Sequence, residues 1–291
     1  MKNTMKQILN CIFILTVIST VGITTVHAED DKKTVELTYV EWASEVASTY
    51  VVKVVLEELG YKVELIPVSA AVMWQAVASG DVDGHVAAWL KSTHAHYLNA
   101  VTDRVENLGP NLEGTKIGLV VPQYVTINSI EELKADKFKR KIIGIDPGAG
   151  LMTKTEQVIK AYQLKNFKLM EGSGATMAAA LGDAIKNKRW IVVTGWTPHW
   201  MFSRWDLKYL SDPKGIYNAS DGREEYISTI VRQGLKEDKP EVYRVLDKFY
   251  WKASDMEQIM IWNEEKAAEP YENAKRWVKE NRDKVKSWLS P

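Results

Sequence analysis

From Val35 to Val40 the chain alternates apolar and polar side chains, Val-Glu-Leu-Thr-Tyr-Val, and predicts a strand. Glu45 to Leu59 changes to a helical period, with Val46, Tyr50, Val51, Val54, Val55 and Leu59 apolar; Ser44 is the expected N-cap and Gly60 the stop. Tyr61–Pro67 predicts a second strand, Ala70–Ser79 a second helix ended by Gly80, and Asp81–Ala88 a third strand with Trp89 at its end. Ile117–Pro122 is a further apolar strand, and Ser129–Leu133 a short capped helix. The same order then recurs. Lys141–Ile145 predicts a strand, Asp146–Gly150 a tight loop, Leu151–Tyr162 a helix, Phe167–Met170 a strand and Ala175–Lys186 a helix. Trp190–Thr194 closes this second unit as a strand broken by Gly195 and Pro198, which sets Trp196 at or just past the strand end. After a turn at Asp212–Gly215, Tyr226–Val231 predicts a return strand, and the tail predicts helices over Pro240–Tyr250, Ala253–Trp262 and Glu269–Val285.

This is a repeat of architecture, not of sequence: 47 residues separate Trp42 from Trp89, and 46 separate Gly150 from Trp196. Alternating strands and helices imply parallel strands joined by right-handed crossovers. Two such units imply two lobes with their strand ends aimed at a common cleft, where ligands of open α/β sheets bind. The expected division is 34–121 and 228–291 for one lobe and 122–227 for the other, with hinge strands near Val121 and Ser228.

The first residues follow a different rule. Lys2 and Lys6 precede an apolar run from Ile8 to Ile23, and Val26-His27-Ala28 comes before the charged Glu29-Asp30-Asp31. That is a basic region, an apolar region and a small-x-small cleavage site, so residues 1–28 are expected to be a signal peptide and the mature chain an exported one. Cys11 is the only cysteine and lies inside that leader, which leaves the rest without disulfides or thiolate chemistry. No lipobox leads up to Cys11. Charge is balanced at 38 basic and 38 acidic residues, an argument against a nucleic-acid partner.

Composition changes the picture at one point: the chain has 11 Trp. Trp251, Trp262, Trp277 and Trp288 are spaced as core residues of the helical tail, and any single Trp is explained as well by packing. Trp42, Trp89 and Trp196, however, all fall at strand ends facing the expected cleft. Three indole faces can hold a cation, and a quaternary ammonium suits them best because it has no N–H donors and is weakly hydrated. Three desolvated contacts of about 2 kcal/mol give roughly 6, against the ~8 of a micromolar dissociation constant. The Gly148-Ala149-Gly150-Leu151 stretch opens a helix, whose free N–H groups and dipole favour an anion such as a carboxylate; as a plain tight connection it is equally well explained. His94, five residues past Trp89 in an expected loop, is a candidate donor to the same carboxylate. No G-x-G-x-x-G, G-x-S-x-G or H-E-x-x-H pattern occurs, so no cofactor, metal or catalytic site is expected.

Several stretches together carry a resemblance. Trp42 to Thr49, Met73-Trp74, Ala87-Ala88-Trp89-Leu90 with His94, Gly118 to Pro122, Gly144 to Gly150 and Thr194 to Phe202 resemble the glycine betaine substrate-binding proteins of osmoprotectant ABC importers, from about Glu36 to Trp288. The resemblance implies a two-lobed class II periplasmic-binding-protein fold that closes on its ligand. It implies a three-Trp prism around a trimethylammonium group at Trp42, Trp89 and Trp196, with the carboxylate held by the N–H groups of Gly150 and Leu151 and by His94. It further implies a monomer, and an ABC permease and ATPase as partners. Glycine betaine is the implied ligand, with proline betaine or carnitine as relatives. Many Gram-positive members of the family are lipoproteins; without a lipobox this chain is expected in the periplasm or at another extracytoplasmic site. Three rivals stand beside this reading. Choline or carnitine as main ligand is one. An exported hydrolase of quaternary-amine esters lacks a visible nucleophile and base. A sugar-binding module would use the same Trp platforms without needing a cation.

Overall fold

The structure, a computed structural model, describes residues 33–134, 136–218 and 225–290. The expected signal peptide, with Cys11, lies outside the described residues.

The first unit is built as its periodicity requires. Strand β1 (Thr34–Tyr39), helix α1 (Ala43–Glu58), β2 (Lys62–Pro67), α2 (Ala70–Ser79) and β3 (Gly84–Leu90) follow in order. β1 pairs in parallel with both β2 and β3, so the local strand order is β2-β1-β3. β3 is buried along its whole length, which is why its sequence is apolar without alternation. Helix α1 begins two residues earlier than Ser44 would place it: Trp42 holds the N-cap position, and its carbonyl accepts the Val46 N–H at 2.9 Å. Helix α3 (Ala95–Val101) follows β3 and was not evident from the sequence.

Strand β4 (Val105–Pro122) joins the halves. Its first part pairs antiparallel with β9 (Glu225–Arg232), from Val105↔Arg232 to Thr115↔Glu225. Its second part, from Lys116, pairs antiparallel with β7 (Val193–Thr197) and, from Val120, with β8 (Leu207–Tyr209). Only Ile117–Pro122 was predicted as strand. Asn107, Gly109, Pro110 and Gly114 mask the rest, and the ladder takes them up in register shifts at Asn107/Gly109, Pro110/Leu112 and Leu112/Thr115. The change of partner therefore falls at Thr115/Lys116. Lys116 to Val121, expected in the first lobe, pair with strands of the second, and Glu225 to Ile227, expected in the second, pair with the first.

The second unit repeats the first: β5 (Lys141–Ile143), α4 (Gly150–Ala161), β6 (Lys168–Met170), α5 (Gly174–Lys186) and β7, with β5 parallel to β6 and β7. The sheet path is β2-β1-β3-β9-β4-β7-β5-β6, with β8 on β4. Each half thus has three parallel strands and an antiparallel neighbour from the crossing pair. The predicted strand Trp190–Thr194 is displaced toward the C-terminus, so Trp196 lies inside β7 and not past it. Gly195 is not a breaker. It pairs with Gly118, and a Cβ there would fall 2.5 Å from Val120 Cγ2 and 2.8 Å from Met201 Cε, so it is the residue that lets β7 pack.

The tail forms helices α6 (Met201–Arg204) before β8, and α7 (Leu235–Asp238), α8 (Pro240–Lys248), α9 (Ala253–Asn263), α10 (Pro270–Glu280) and α11 (Arg282–Leu289) after β9. The expected single helix from Glu269 is two, parted at Asn281, whose side chain donates to the Trp277 carbonyl at 2.9 Å. α9 and α10 lie against α1 and complete the first lobe. Trp251, Trp277 and Trp288 are buried there as expected, with Trp277 and Trp288 stacked at 6.1 Å. Trp262 is only half-buried, under the Arg276 guanidinium at 3.9 Å. Among the described residues no helix is long and apolar enough to cross a membrane.

Asp83, at the turn into β3, ties the first lobe to the tail. Its carboxylate accepts from Arg232 Nε at 3.0 Å, Lys239 Nζ at 2.7 Å and the Glu36 N–H at 3.1 Å. Only 4% of the Asp83 side chain is exposed, so removing it leaves two cations without a buried partner. Asp83→Ala is expected to cost about 3 kcal/mol, read as a lower urea midpoint at unchanged slope; an unchanged midpoint would contradict it.

Candidate ligand-binding site

All six residues singled out in the sequence line one cavity, with an empty volume of about 310 Å³, between the halves. Trp42, Trp89 and His94 come from the first unit, and Gly150, Leu151 and Trp196 from the second. Ile117 of β4 adds to the wall, next to its ladder partner Trp196.

Each indole is fixed by its element. Trp89 is the penultimate residue of β3, paired with Ile227. Trp196 is held in β7 and meets the His199 imidazole edge-on at 4.5 Å. Trp42 donates from Nε1 to Asp146 Oδ2 at 2.7 Å, a bond that spans the two halves. A Cβ placed on Gly174, at the head of α5, would lie 3.8 Å from Trp196 Cη2 and 3.9 Å from Trp42 Cδ1, so these two rings converge on one spot.

Gly150 and Leu151 are the first two residues of α4, where N–H groups have no helical carbonyl to bond. Gly150 is required there: its Cβ would sit 2.1 Å from the Thr93 carbonyl oxygen of the other half. His94 is not in an exposed loop, as expected, but buried at the head of α3. The Trp89 N–H donates to His94 Nδ1 at 3.2 Å, so Nδ1 is the acceptor and the ring proton belongs on Nε2. Nε2 is buried with no protein partner. Burial, with His85 and His96 adding to it, pushes the His94 pKa down to about 3, which keeps this donor neutral. The arrangement offers aromatic faces, a neutral N–H donor and a helix N-terminus to one guest.

Sequence reasoning missed several neighbours. Tyr97 on α3 donates to the Gly148 carbonyl at 2.7 Å, a second bond across the halves. Ser44, expected as a cap, lies inside α1 and turns toward the cavity, with its hydroxyl unpartnered. Glu45 is buried beside it; its Oε2 accepts the Val40 N–H at 2.8 Å, and burial raises its pKa well above the usual carboxylate range. An acid in the first turn of a helix is ordinary on electrostatic grounds, so the sequence carries no signal that Glu45 is buried. Among the described residues no cluster of His, Cys, Asp and Glu could hold a metal ion.

Two α/β halves joined by antiparallel crossing strands, with an aromatic cavity between them, define a periplasmic-binding-protein fold. The chain belongs to the OpuAC family, the substrate-binding domain of ABC-type glycine betaine transport systems, whose pattern matches residues 33–280. It is similar to the lactococcal OpuAC crystallised closed with glycine betaine, at 46% identity and a TM-score of 0.83, covering 89% of this chain and 100% of that one. ProX of Borrelia burgdorferi, a glycine betaine and L-proline transporter component, gives 42% identity and a TM-score of 0.85 over 89% of this chain and 97% of the other. An ABC-transporter choline-binding protein in complex with choline shares 26% identity at a TM-score of 0.83, over 89% and 92% of the two chains. The glycine betaine/carnitine transport binding protein GbuC of Listeria monocytogenes is 52% identical over 149 residues, which is 50% of this chain and 48% of that protein, so the match spans about half the relative's length.

The buried imidazoles set a pH dependence. His85, His94 and His199 all have pKa values lowered to about 3 by burial. In the unfolded chain they protonate near 6.5, so the unfolded state binds more protons as pH falls, and stability is lost below that value. Glu45 acts oppositely, since it holds its proton more tightly when folded. Three histidines against one carboxylate leave the net proton excess on the unfolded state, so stability falls as pH drops below about 6.5. Urea unfolding at pH 7 and at pH 5.5 is expected to show the loss; equal free energies would contradict a net excess of protons on the unfolded state.

Proposed function

We propose that the protein is the extracytoplasmic receptor of an ABC importer, capturing glycine betaine, or a related betaine such as proline betaine or carnitine, for delivery to a permease and ATPase in osmoprotection. Export would use the leader read at residues 1–28. The trimethylammonium group sits among Trp42, Trp89 and Trp196. The carboxylate takes the Gly150 and Leu151 N–H groups and His94 Nε2–H. Closure bends the chain where β4 changes partner at Thr115/Lys116 and beside Glu225.

The observation that carries this reading is the meeting of two complementary chemistries in one cavity. Three indoles line it together with a buried imidazole donor that has no protein partner. A betaine satisfies both, because its cation offers no N–H to leave unpaired and its carboxylate accepts from the imidazole. Choline offers His94 Nε2–H and the α4 N–H groups a single neutral hydroxyl oxygen in place of two carboxylate oxygens, and bonds to a charged acceptor are roughly twice as strong. The likeness to glycine betaine-binding relatives over most of the chain points the same way.

Titration calorimetry tests the assignment. Trp89→Ala is expected to weaken glycine betaine roughly 30-fold, the equivalent of about 2 kcal/mol for one desolvated cation–π contact. Choline is expected to bind the unaltered protein roughly ten-fold or more weakly than glycine betaine. An unchanged mutant would remove Trp89 from the site, and equal affinity for choline would remove the carboxylate assignment.

A further inference from the structure

We propose that Glu225 is a positioning residue that selects for the carboxylate end of the ligand, acting through the turn Ser92-Thr93-His94. The idea rests on the betaine reading above and adds a residue that touches no part of the cavity.

Glu225 opens β9 and pairs with Thr115 at the point where β4 changes partners, so its backbone is anchored at the crossover between the halves. Its side chain is buried with the residue at 7% exposure, and it is used up by one turn of chain more than 130 positions away. Oε1 accepts the Thr93 N–H at 2.8 Å. Oε2 accepts both the Ser92 N–H and the Ser92 hydroxyl at 3.0 Å. A buried carboxylate must be compensated, and charge-assisted bonds from backbone N–H groups are the strong kind. Ser92 Oγ also lies 3.4 Å from the carbonyl oxygen of Tyr217, and the Tyr217 hydroxyl is 2.9 Å from Thr155 Oγ1 on α4.

The clamped turn does two things at the site. Thr93 puts its carbonyl oxygen against Gly150, the residue proposed to hold the carboxylate. His94 follows directly, and its ring and backbone are both locked to Trp89: the His94 N–H donates to the Trp89 carbonyl at 2.8 Å and its Nδ1 accepts the Trp89 N–H. If the turn loosens, the aim of Nε2–H and the seat of Gly150 are lost together. Trp89 is also paired with Ile227 of β9 inside the β3 ladder, so its place does not rest on the turn alone. A carboxylate is needed because it only accepts; an amide at 225 would turn its NH₂ toward donors and leave at least one N–H of the turn unbonded.

The test compares Glu225→Gln with the unaltered protein against two ligands, glycine betaine and choline. Glycine betaine is expected to weaken roughly 10- to 100-fold and choline by less than about three-fold. Equal losses for both ligands, or none for either, would overturn the proposal. Ser92→Ala removes one of the three bonds and is expected to give a smaller loss with the same ligand preference, which keeps the question open to test if Glu225→Gln fails to fold; Glu225→Asp, which keeps an accepting carboxylate, is expected to restore part of it. A second readout needs no ligand. The ¹⁵N shifts of the His94 ring are expected to report a single Nε2–H tautomer in the unaltered protein and an averaged one in Glu225→Gln. Unaltered ring shifts in that variant would also overturn the proposal. A protein that binds neither ligand would instead sink the betaine reading, while the ring shifts would still decide the clamp.

Discussion

The approach of the Thr93 carbonyl to Gly150 is the contact on which the cavity depends. With 2.1 Å between that oxygen and the ideal Cβ position, only a glycine lets the turn after β3 touch the first turn of α4. The pairing is also favourable electrostatically, because a carbonyl oxygen carries partial negative charge and a helix N-terminus partial positive charge. Two further bonds land on the same short loop, Trp42 on Asp146 and Tyr97 on Gly148. The Asp146–Gly150 segment is therefore a seam: residues from the end of β1, the turn after β3 and α3 all meet it. A cavity walled by both halves exists because that seam closes.

The same seam explains which parts were legible in the sequence. Periodicity identified both β-α-β-α-β units, since burial on one or both faces forces the apolar pattern. It failed where the backbone and not the side chains sets the structure. The Val105–Lys116 portion of β4 carries Asn107, Gly109, Pro110 and Gly114, residues of turns, and only the pairing with β9 reveals them as a bulged strand. Gly195 read as a stop because a lone glycine in an apolar run has two meanings, and only the neighbouring Val120 and Met201 decide for close packing. The six cavity residues were visible as types at strand ends and a helix start. That His94 is buried, and that its free nitrogen is Nε2, was not visible, because it depends on the Trp89 N–H five residues earlier in the chain.

The residues that line the cavity carry no formal charge, and the one imidazole among them, His94, is held neutral by burial. His94 and His199 are held uncharged by burial, and Glu45, behind the Trp42 turn, is pushed toward its protonated form. Asp146 is engaged with the Trp42 indole. A guest with one net charge would find no counter-charge in the lining itself, only the Asp146 carboxylate behind the Trp42 ring. The betaine of the proposed function would bring its charges already balanced, and would need from the protein only faces for one end and donors for the other.

Tryptophan is used twice in this chain, and the two uses cannot be told apart by burial or by bonding. Trp251 and Trp277 are as buried as any cavity indole, and their Nε1 atoms lack a partner just as that of Trp196 does. What separates the groups is what each ring packs against. Trp251, Trp277 and Trp288 meet one another and Phe249 within a single lobe, where the contacts are fixed once folding is complete. Trp42, Trp89 and Trp196 line a space whose opposite walls belong to different lobes. Rings of the first kind contribute their area to stability. On the proposed function, rings of the second kind would keep part of that contribution for a guest, which would take between them the place that neighbouring side chains take in the core.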